Sequence, residues 1–227
     1  MTSDISDANV ARAAKLDCAA LSDALDRLSI AGQCRRIRPC DPGFRMAGRA
    51  YTVLYEPVGE TPGTVGEFID DAPAGSVIVI DNQGRDDVGT WGNILTEAAH
   101  RRGMAGTVID GNNRDVALCR ELGYPIYSHH TWMRTGKGRI QLKALQVPVT
   151  IGSVTVNPGD IVVGDPDGVV VLPREHENDI LDAAEQITFN EQRLRDAIRG
   201  GMRMDEARRQ FHYHDLQSPG YTGKKTG

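Results

Sequence analysis

Aromatic side chains are scarce in this 227-residue chain, at 5% of the total. A core with so few rings must be built from Val, Ile, Leu and Ala, in short strands and amphipathic helices. Positive charge is not in excess either: 26 Lys and Arg stand against 31 Asp and Glu, a formal net charge of −5. That balance argues against a nucleic-acid partner, because duplex phosphates call for a basic face. Only four cysteines occur, Cys18, Cys34, Cys40 and Cys119, with no CxxC pair. Neither a disulfide scaffold nor a clustered zinc site is expected, although Cys34 and Cys40 could lie near each other in a loop. Long apolar runs are missing, and the start MTSDISDANVARAAK lacks the apolar stretch of a signal peptide. The sequence therefore predicts a cytoplasmic protein with no membrane partner.

Apolar residues at 40% and charged residues at 25% fit an ordinary globular chain. The length suits one domain, read here as residues 1–199, with a polar extension over 200–227. Asp7 to Leu28 carries Leu16, Ala20, Leu21, Leu25 and Leu28 at helical spacing, which predicts one helix or a pair, with Ser22 as a cap. GRAYTVLY, Gly48 to Tyr55, reads as a strand ended by Pro57, and Thr64 to Asp71 as a short helix. SVIVID, Ser76 to Asp81, is an apolar run suited to a strand covered on both faces. A loop, NQGRDDVGTWG, precedes a helix over Asn93–Arg102. The strand GTVID, a helix over Asn113–Leu122 and the strand YPIYS follow. Alternating strands and helices are the α/β signature. Beyond Ile140, VPVTIGSVTVNPGDIVVGDPDGVVVLP predicts an antiparallel module of three or four strands. Arg174 to Arg199 reads as a long polar helix against the outside or a neighbouring subunit, and the tail as ordered by a partner.

Two strand-to-helix junctions carry the chemistry. Gly89 to Leu95 brings glycines to a helix start, where backbone N–H groups and the helix dipole favour an anion. About twenty residues later, Arg114 and Asp115 stand at the next junction. Successive parallel strands put both junctions at one sheet edge, where α/β proteins bind ligands. A carboxylate there can hold Mg²⁺ with several waters remaining, and Mn²⁺ accepts the same oxygen donors. Amides and Arg114 can grip a 2-oxo acid, with the metal as Lewis acid for the enolate and Arg114 stabilising its oxygen. The plain alternative is a surface ion pair that caps the following helix.

WGNILTEAAHRRGMAGTVIDGNNRD resembles the core motif of the class II pyruvate aldolases of the 4-hydroxy-4-methyl-2-oxoglutarate aldolase type. That family shares its fold with the regulators of ribonuclease activity A. LSDALDRL, RPCDPGFRMAGRAYTV, NPGDIVVGDPDGVVVLP and NEQRLRDAIRGG extend the resemblance over about residues 17–204. It implies a three-layer β/β/α sandwich (an RraA-like swivelling domain) with a long C-terminal helix, assembled as a homotrimer or homohexamer. By the same resemblance, Arg114 binds substrate, Asp115 ligates Mg²⁺ or Mn²⁺, and the amides of Gly92, Asn93, Ile94 and Leu95 hold the substrate carboxylate. Glu191 falls where these aldolases place a helix glutamate that reaches a neighbour's metal through water. Glu185 is a weaker substitute.

Asn93 departs from the pattern, which has Asp there. Asn can hydrogen-bond a metal-held water but is neither anion nor base, so the implied activity leans toward oxaloacetate decarboxylation beside retro-aldol cleavage to pyruvate. The competing functions are a non-catalytic protein-binding regulator and a same-fold enzyme acting on a sugar-derived acid. The helix carrying Glu191 favours an enzyme. Asp81, Asp86 and Asp87 read as turn residues. RTGKGR, Arg134 to Arg139, lacks a phosphate-loop frame but could meet a distal carboxylate or phosphate. His129–His130 and His212–Tyr213–His214 do not read as metal sites.

Overall fold

The computed structural model describes residues 7–61 and 63–211. The chain opens with two helices, α1 (Ala8–Ala13) and α2 (Cys18–Arg27). Their caps are Asp7, whose carboxylate accepts from Asn9 N and Val10 N, and Asp17, which accepts from Ala20 N. Ser22 lies inside α2 and caps nothing, because the aspartate five residues earlier already satisfies the helix start. Short strands β1 (Gln33–Cys34) and β2 (Arg38–Pro39) lead into the long β3 (Met46–Pro57). Only Phe68–Asp70 of the helix expected over Thr64–Asp71 forms, as one 3₁₀ turn.

The strands β4 (Val77–Trp91), β5 (Gly106–Asn113) and β6 (Ile126–Ser128) follow, with α3 (Asn93–Arg101) and α4 (Val116–Leu122) between them. Strands β3, β4, β5 and β6 run parallel side by side. The segment Asn82–Trp91 is not the loop its composition suggests. It continues β4 beside β5 with three register shifts, so Trp91 pairs with Asn113. Bulges let a Gly- and Asp-rich stretch stay in a sheet. Small strands β7 (His130–Thr131) and β8 (Ile140–Leu145) pair with β5 and β3.

The Val-rich region forms four strands, as its turns predict: β9 (Val149–Ile151), β10 (Val154–Val156), β11 (Ile161–Asp165) and β12 (Gly168–Leu172). They do not make one module. β9 and β10 are a separate hairpin, whereas β11 joins β3 and β12 pairs with β11 and β1. One edge of β3 thus serves β11 over Met46–Arg49 and β8 over Val53–Pro57, while its other edge serves β4. Gly48 of β3 passes close to the turn before β4: a Cβ there would meet the Gly75 carbonyl at 2.4 Å.

Two cores result. The larger one buries the parallel strands, with Ile78, Ile80 and Ile109 fully enclosed. The smaller packs α1, α2 and α5 (Glu177–Arg199) on β11 and β12. α5 contributes Ile180, Leu181, Ala184 and Ile187 and rests on α2 of its own chain. The fold is mixed α/β with a large sheet and a long C-terminal helix. Past Gly200, α6 (Met204–Gln210) folds back on α5 with Ala207 buried, and Arg193 lies over the Phe211 ring at 5.1 Å. Residues 200–211 therefore pack on their own chain. His212–Tyr213–His214 fall outside the described residues. No helix among the described residues is long and apolar enough to cross a membrane.

Candidate active site

The ends of β4 and β5 are fixed from below by one aromatic pair. Trp91 and Tyr124 stack with centroids 6.3 Å apart and planes 5° from parallel. The Trp91 indole donates to Thr96 Oγ1 at 3.0 Å, and that hydroxyl donates to the Gly92 carbonyl at 3.0 Å. Above this anchor, Arg114 N donates to the Trp91 carbonyl at 2.8 Å, which ties the two strand-to-helix junctions together.

Both junctions converge as predicted. Asp115 adopts a left-handed backbone (φ 60°) and stands before the first turn of α4, yet its side chain caps nothing there. Its Oδ2 instead accepts from Asn93 N of α3 at 3.1 Å and lies 3.3 Å from Arg114 Nε. The plain alternative, an ion pair capping the following helix, therefore fails on direction: the cap crosses to the preceding helix. Such a turn conformation costs a non-glycine residue about 1–3 kcal/mol, and such costs cluster at functional sites.

Gly92 makes the approach feasible. A Cβ at that position would stand 2.8 Å from Asp115 Oδ2 and 3.2 Å from Arg114 Nε. Its backbone is extended (φ −142°), so space rather than conformation demands glycine. Asn93 N is committed to Asp115, so Ile94 and Leu95 supply the first-turn amides left for a ligand.

A cavity of about 620 Å³ opens over this floor. Gly92 to Leu95 and Arg114 form one wall, and Thr135 to Gly138 of the basic loop form another. Gly89 N donates to the Arg134 carbonyl at 2.8 Å and Gly136 N to the Gly89 carbonyl at 3.0 Å, pinning that loop to β4. Lys137 thereby borders the same cavity as Arg114. Gly63 to Glu67 complete the lining, and Glu67 adds a carboxylate that sequence reasoning missed. No local pattern marks it, because its segment reaches the cavity only through β3–β8 pairing.

The remaining candidates lie elsewhere. Asp81 accepts from Gln83 N and Thr150 N, and Asp87 pairs with Arg85. Asp86 contributes only its carbonyl, to Asn112 Nδ2. His129 pairs with Asp110 at 2.8 Å. Glu185 is held by Arg12. Glu191 sits on α5 beside Arg195, 3.5 Å away, and does not line the cavity of its own chain. Burial raises its carboxyl above the usual range, Arg195 opposes that, and Asp23 and Asp17 reinforce it.

Asp115 Oδ2 is engaged by the Asn93 amide, and the side chain is about a third exposed. One accessible carboxylate beside an open cavity fits a hard divalent cation that keeps most of its waters. Among the described residues there is no cluster of three or more acidic, His or Cys ligands, so a single chain offers no full protein cage.

Residues 2–171 match the family described as RraA-like, Aldolase/RraA. The chain belongs to that family. It is 38% identical over 199 residues to Protein DlpA of Legionella pneumophila; the match covers 86% of this chain but spans only about a third, 32%, of that relative. It is 32% identical over 166 residues to a Halalkalibacterium halodurans protein named "Putative 4-hydroxy-4-methyl-2-oxoglutarate aldolase", covering 73% of this chain and 77% of that one. Among solved structures, an uncharacterized protein from Pseudomonas syringae pv. tomato superposes with a TM-score of 0.84 at 40% identity, over 90% of this chain and 98% of the other. Streptomyces coelicolor RraAS2, described as an unusual member of the RNase ES inhibitor RraA protein family, gives 0.74 at 30% identity, over 82% and 94%. The RraA-like family thus includes relatives with aldolase names and relatives with inhibitor names, and the fold expectation from the sequence holds.

Proposed function

We propose that this chain is a divalent-metal-dependent lyase that cleaves a carbon–carbon bond of a short 2-oxo acid and releases pyruvate. The observation that carries it is the crossing of Asp115 onto the α3 start, which sets a carboxylate against Arg114 and the helix start that line one cavity. The amides of Ile94 and Leu95 would bind the 2-oxo acid's carboxylate at the positive end of α3. Arg114 would stabilise the charge that develops on the keto oxygen as the carbon–carbon bond breaks. Mg²⁺ or Mn²⁺ held by Asp115 would supply Lewis-acid polarisation of that keto group. Lys137, across the cavity, would meet a second carboxylate, which favours dicarboxylic substrates such as 4-hydroxy-4-methyl-2-oxoglutarate or oxaloacetate.

Asn93 has no charge to work as a base. Decarboxylation, in which the leaving group is CO₂ and no hydroxyl proton needs removal, is therefore favoured over retro-aldol cleavage. Glu191 from a neighbouring subunit of a trimer or hexamer would supply the missing carboxylate.

The test is pyruvate release from both substrates with Mg²⁺, Mn²⁺ or EDTA, beside Asp115→Ala. Metal-dependent turnover that vanishes in Asp115→Ala supports the lyase. No turnover with either substrate and any metal, together with no Asp115-dependent metal binding, supports the second reading, a protein-binding regulator. That reading draws on the likeness to RraAS2.

A further inference from the structure

A second cavity, of about 670 Å³, opens at the other end of the sheet. β4 begins beside it at Val77 and reaches the candidate active site only at Trp91. Ser76, just before β4, and Tyr51 of β3 line this cavity, each only 6% exposed. Among the described residues no hydrogen bond engages either hydroxyl. Buried hydroxyls are ordinarily bonded, so two that border one cavity unpaired leave room for a partner from outside the chain.

Two guanidinium groups reach the same wall, and only one of them is engaged. Arg49 bonds Asp7 and Glu177, and its Nη1 donates to the Gly159 carbonyl at 3.0 Å. Asp7 is engaged in turn, since its oxygens accept from Asn9 N, Val10 N and Arg49 Nε. Arg174 differs. Its backbone N donates to Asp160, but among the described residues no hydrogen bond or ion pair holds its guanidinium. That group lies against Gly159, where a Cβ would stand 3.1 Å from Arg174 Nη1. Gln146 also lines the cavity; its Oε1 accepts from Thr52 N at 3.1 Å, which leaves Nε2 to donate.

The uncommitted groups are therefore a guanidinium, an amide N–H₂ and two hydroxyls, all able to donate. Burial raises the Tyr51 phenol and Asp71 adds to it, so that hydroxyl keeps its proton. Val10, Ala50, Pro73, Ala74 and Pro158 supply apolar wall.

We infer that this cavity is a second ligand site, for a small organic monocarboxylate held by Arg174 and the donors beside it, with its apolar body against Pro73, Ala74 and Pro158. A carboxylate brings only acceptors, and the guanidinium fork matches its two oxygens. One negative charge suits the wall better than two. Asp7 and Glu177 outnumber Arg49 there, and that excess opposes a phosphate dianion. The inference does not rest on the lyase reading, because the two cavities share no lining residue.

The experiment titrates the full-length protein with hexanoate by calorimetry, beside Arg174→Gln, Tyr51→Phe and Arg114→Gln. Binding to one site is expected, weakened about tenfold in Arg174→Gln by loss of a charge-assisted bond. Tyr51→Phe removes only the hydroxyl and should weaken it about threefold. Arg114→Gln should bind hexanoate as the parent does. Should Arg174→Gln fail to fold, Arg174→Lys, which keeps the charge and loses the fork, must still weaken binding. Absence of hexanoate binding by the parent protein overturns the site. Binding lost in Arg114→Gln but kept in Arg174→Gln places the ligand in the other cavity and overturns it too. Inorganic phosphate, titrated in parallel, must bind more weakly than hexanoate; tighter, Arg174-dependent binding overturns the monocarboxylate class.

Discussion

Gly92→Ala tests the floor of the cavity with one methyl group. The backbone there is extended, so alanine adopts it without conformational cost. All of the strain comes from the added Cβ, 2.8 Å from Asp115 Oδ2 and 3.2 Å from Arg114 Nε. Ordinary contact begins near 3.4 Å, so the carboxylate must retreat by about 0.6 Å. It cannot do so and keep its 3.1 Å bond to Asn93 N. Loss of that cap costs about 1 kcal/mol, because the ends of two part-exposed side chains can move aside. Misplacing a catalytic carboxylate by most of an ångström costs far more in rate, on the order of 10²-fold in kcat/KM. Two measurements separate these effects: urea denaturation at pH 7, and pyruvate release coupled to NADH oxidation by lactate dehydrogenase. The expected variant is nearly as stable as the parent and about a hundred times slower. Wild-type kcat/KM in a stable Gly92→Ala protein would refute the catalytic placement of Asp115. A loss above about 3 kcal/mol would refute the claim that only side-chain ends are displaced.

Three more outcomes are expected. Lys137→Gln should raise KM for dicarboxylic substrates about tenfold with kcat nearly unchanged, since the lost contact is made equally in ground and transition states; steady-state kinetics against a monocarboxylic 2-oxo acid as control check it. Asn93→Asp should increase retro-aldol turnover relative to oxaloacetate decarboxylation by at least tenfold, because a carboxylate beside Asp115 supplies the absent base; the ratio of the two rates is the readout. Acid stability should depend on Arg49, whose hydrogen bonds hold Asp7 and Glu177 below the usual carboxylate range. With folded values depressed, their contribution is fully present above about pH 4.5 and is lost as pH falls through the folded values. Arg49→Met should cost roughly 2–4 kcal/mol at pH 7, since Glu177 is nearly buried, and should flatten the loss of stability below pH 4.5 in urea titrations.

Much of the architecture was legible because local physics decided it. Val77–Asp81 and Gly106–Asp110 are apolar runs too short for helices, and both became buried parallel strands. Helix α3 ran from Asn93 to Arg101, one residue short of its expectation, with Gly103 just beyond it. Ser22 misled, because a good capping residue inside an amphipathic stretch competes with Asp17, and the earlier cap won. Asn82–Trp91 misled as well: its composition is that of a loop, and only pairing with β5 made it a strand. In the site, Gly92, Arg114 and Asp115 stood out because their spacing puts them at successive junctions of one sheet.

The sequence by itself determined the alternation of strands and helices, the two junctions and the residues at them, since these depend on periodicity, caps and turns within a few residues. Tertiary structure alone decided that Asp115 caps α3 rather than α4, and that Lys137 and Glu67 face the same cavity as Arg114. Each of these contacts joins segments far apart in the chain. Their distances are set by sheet order and register, which no local pattern encodes.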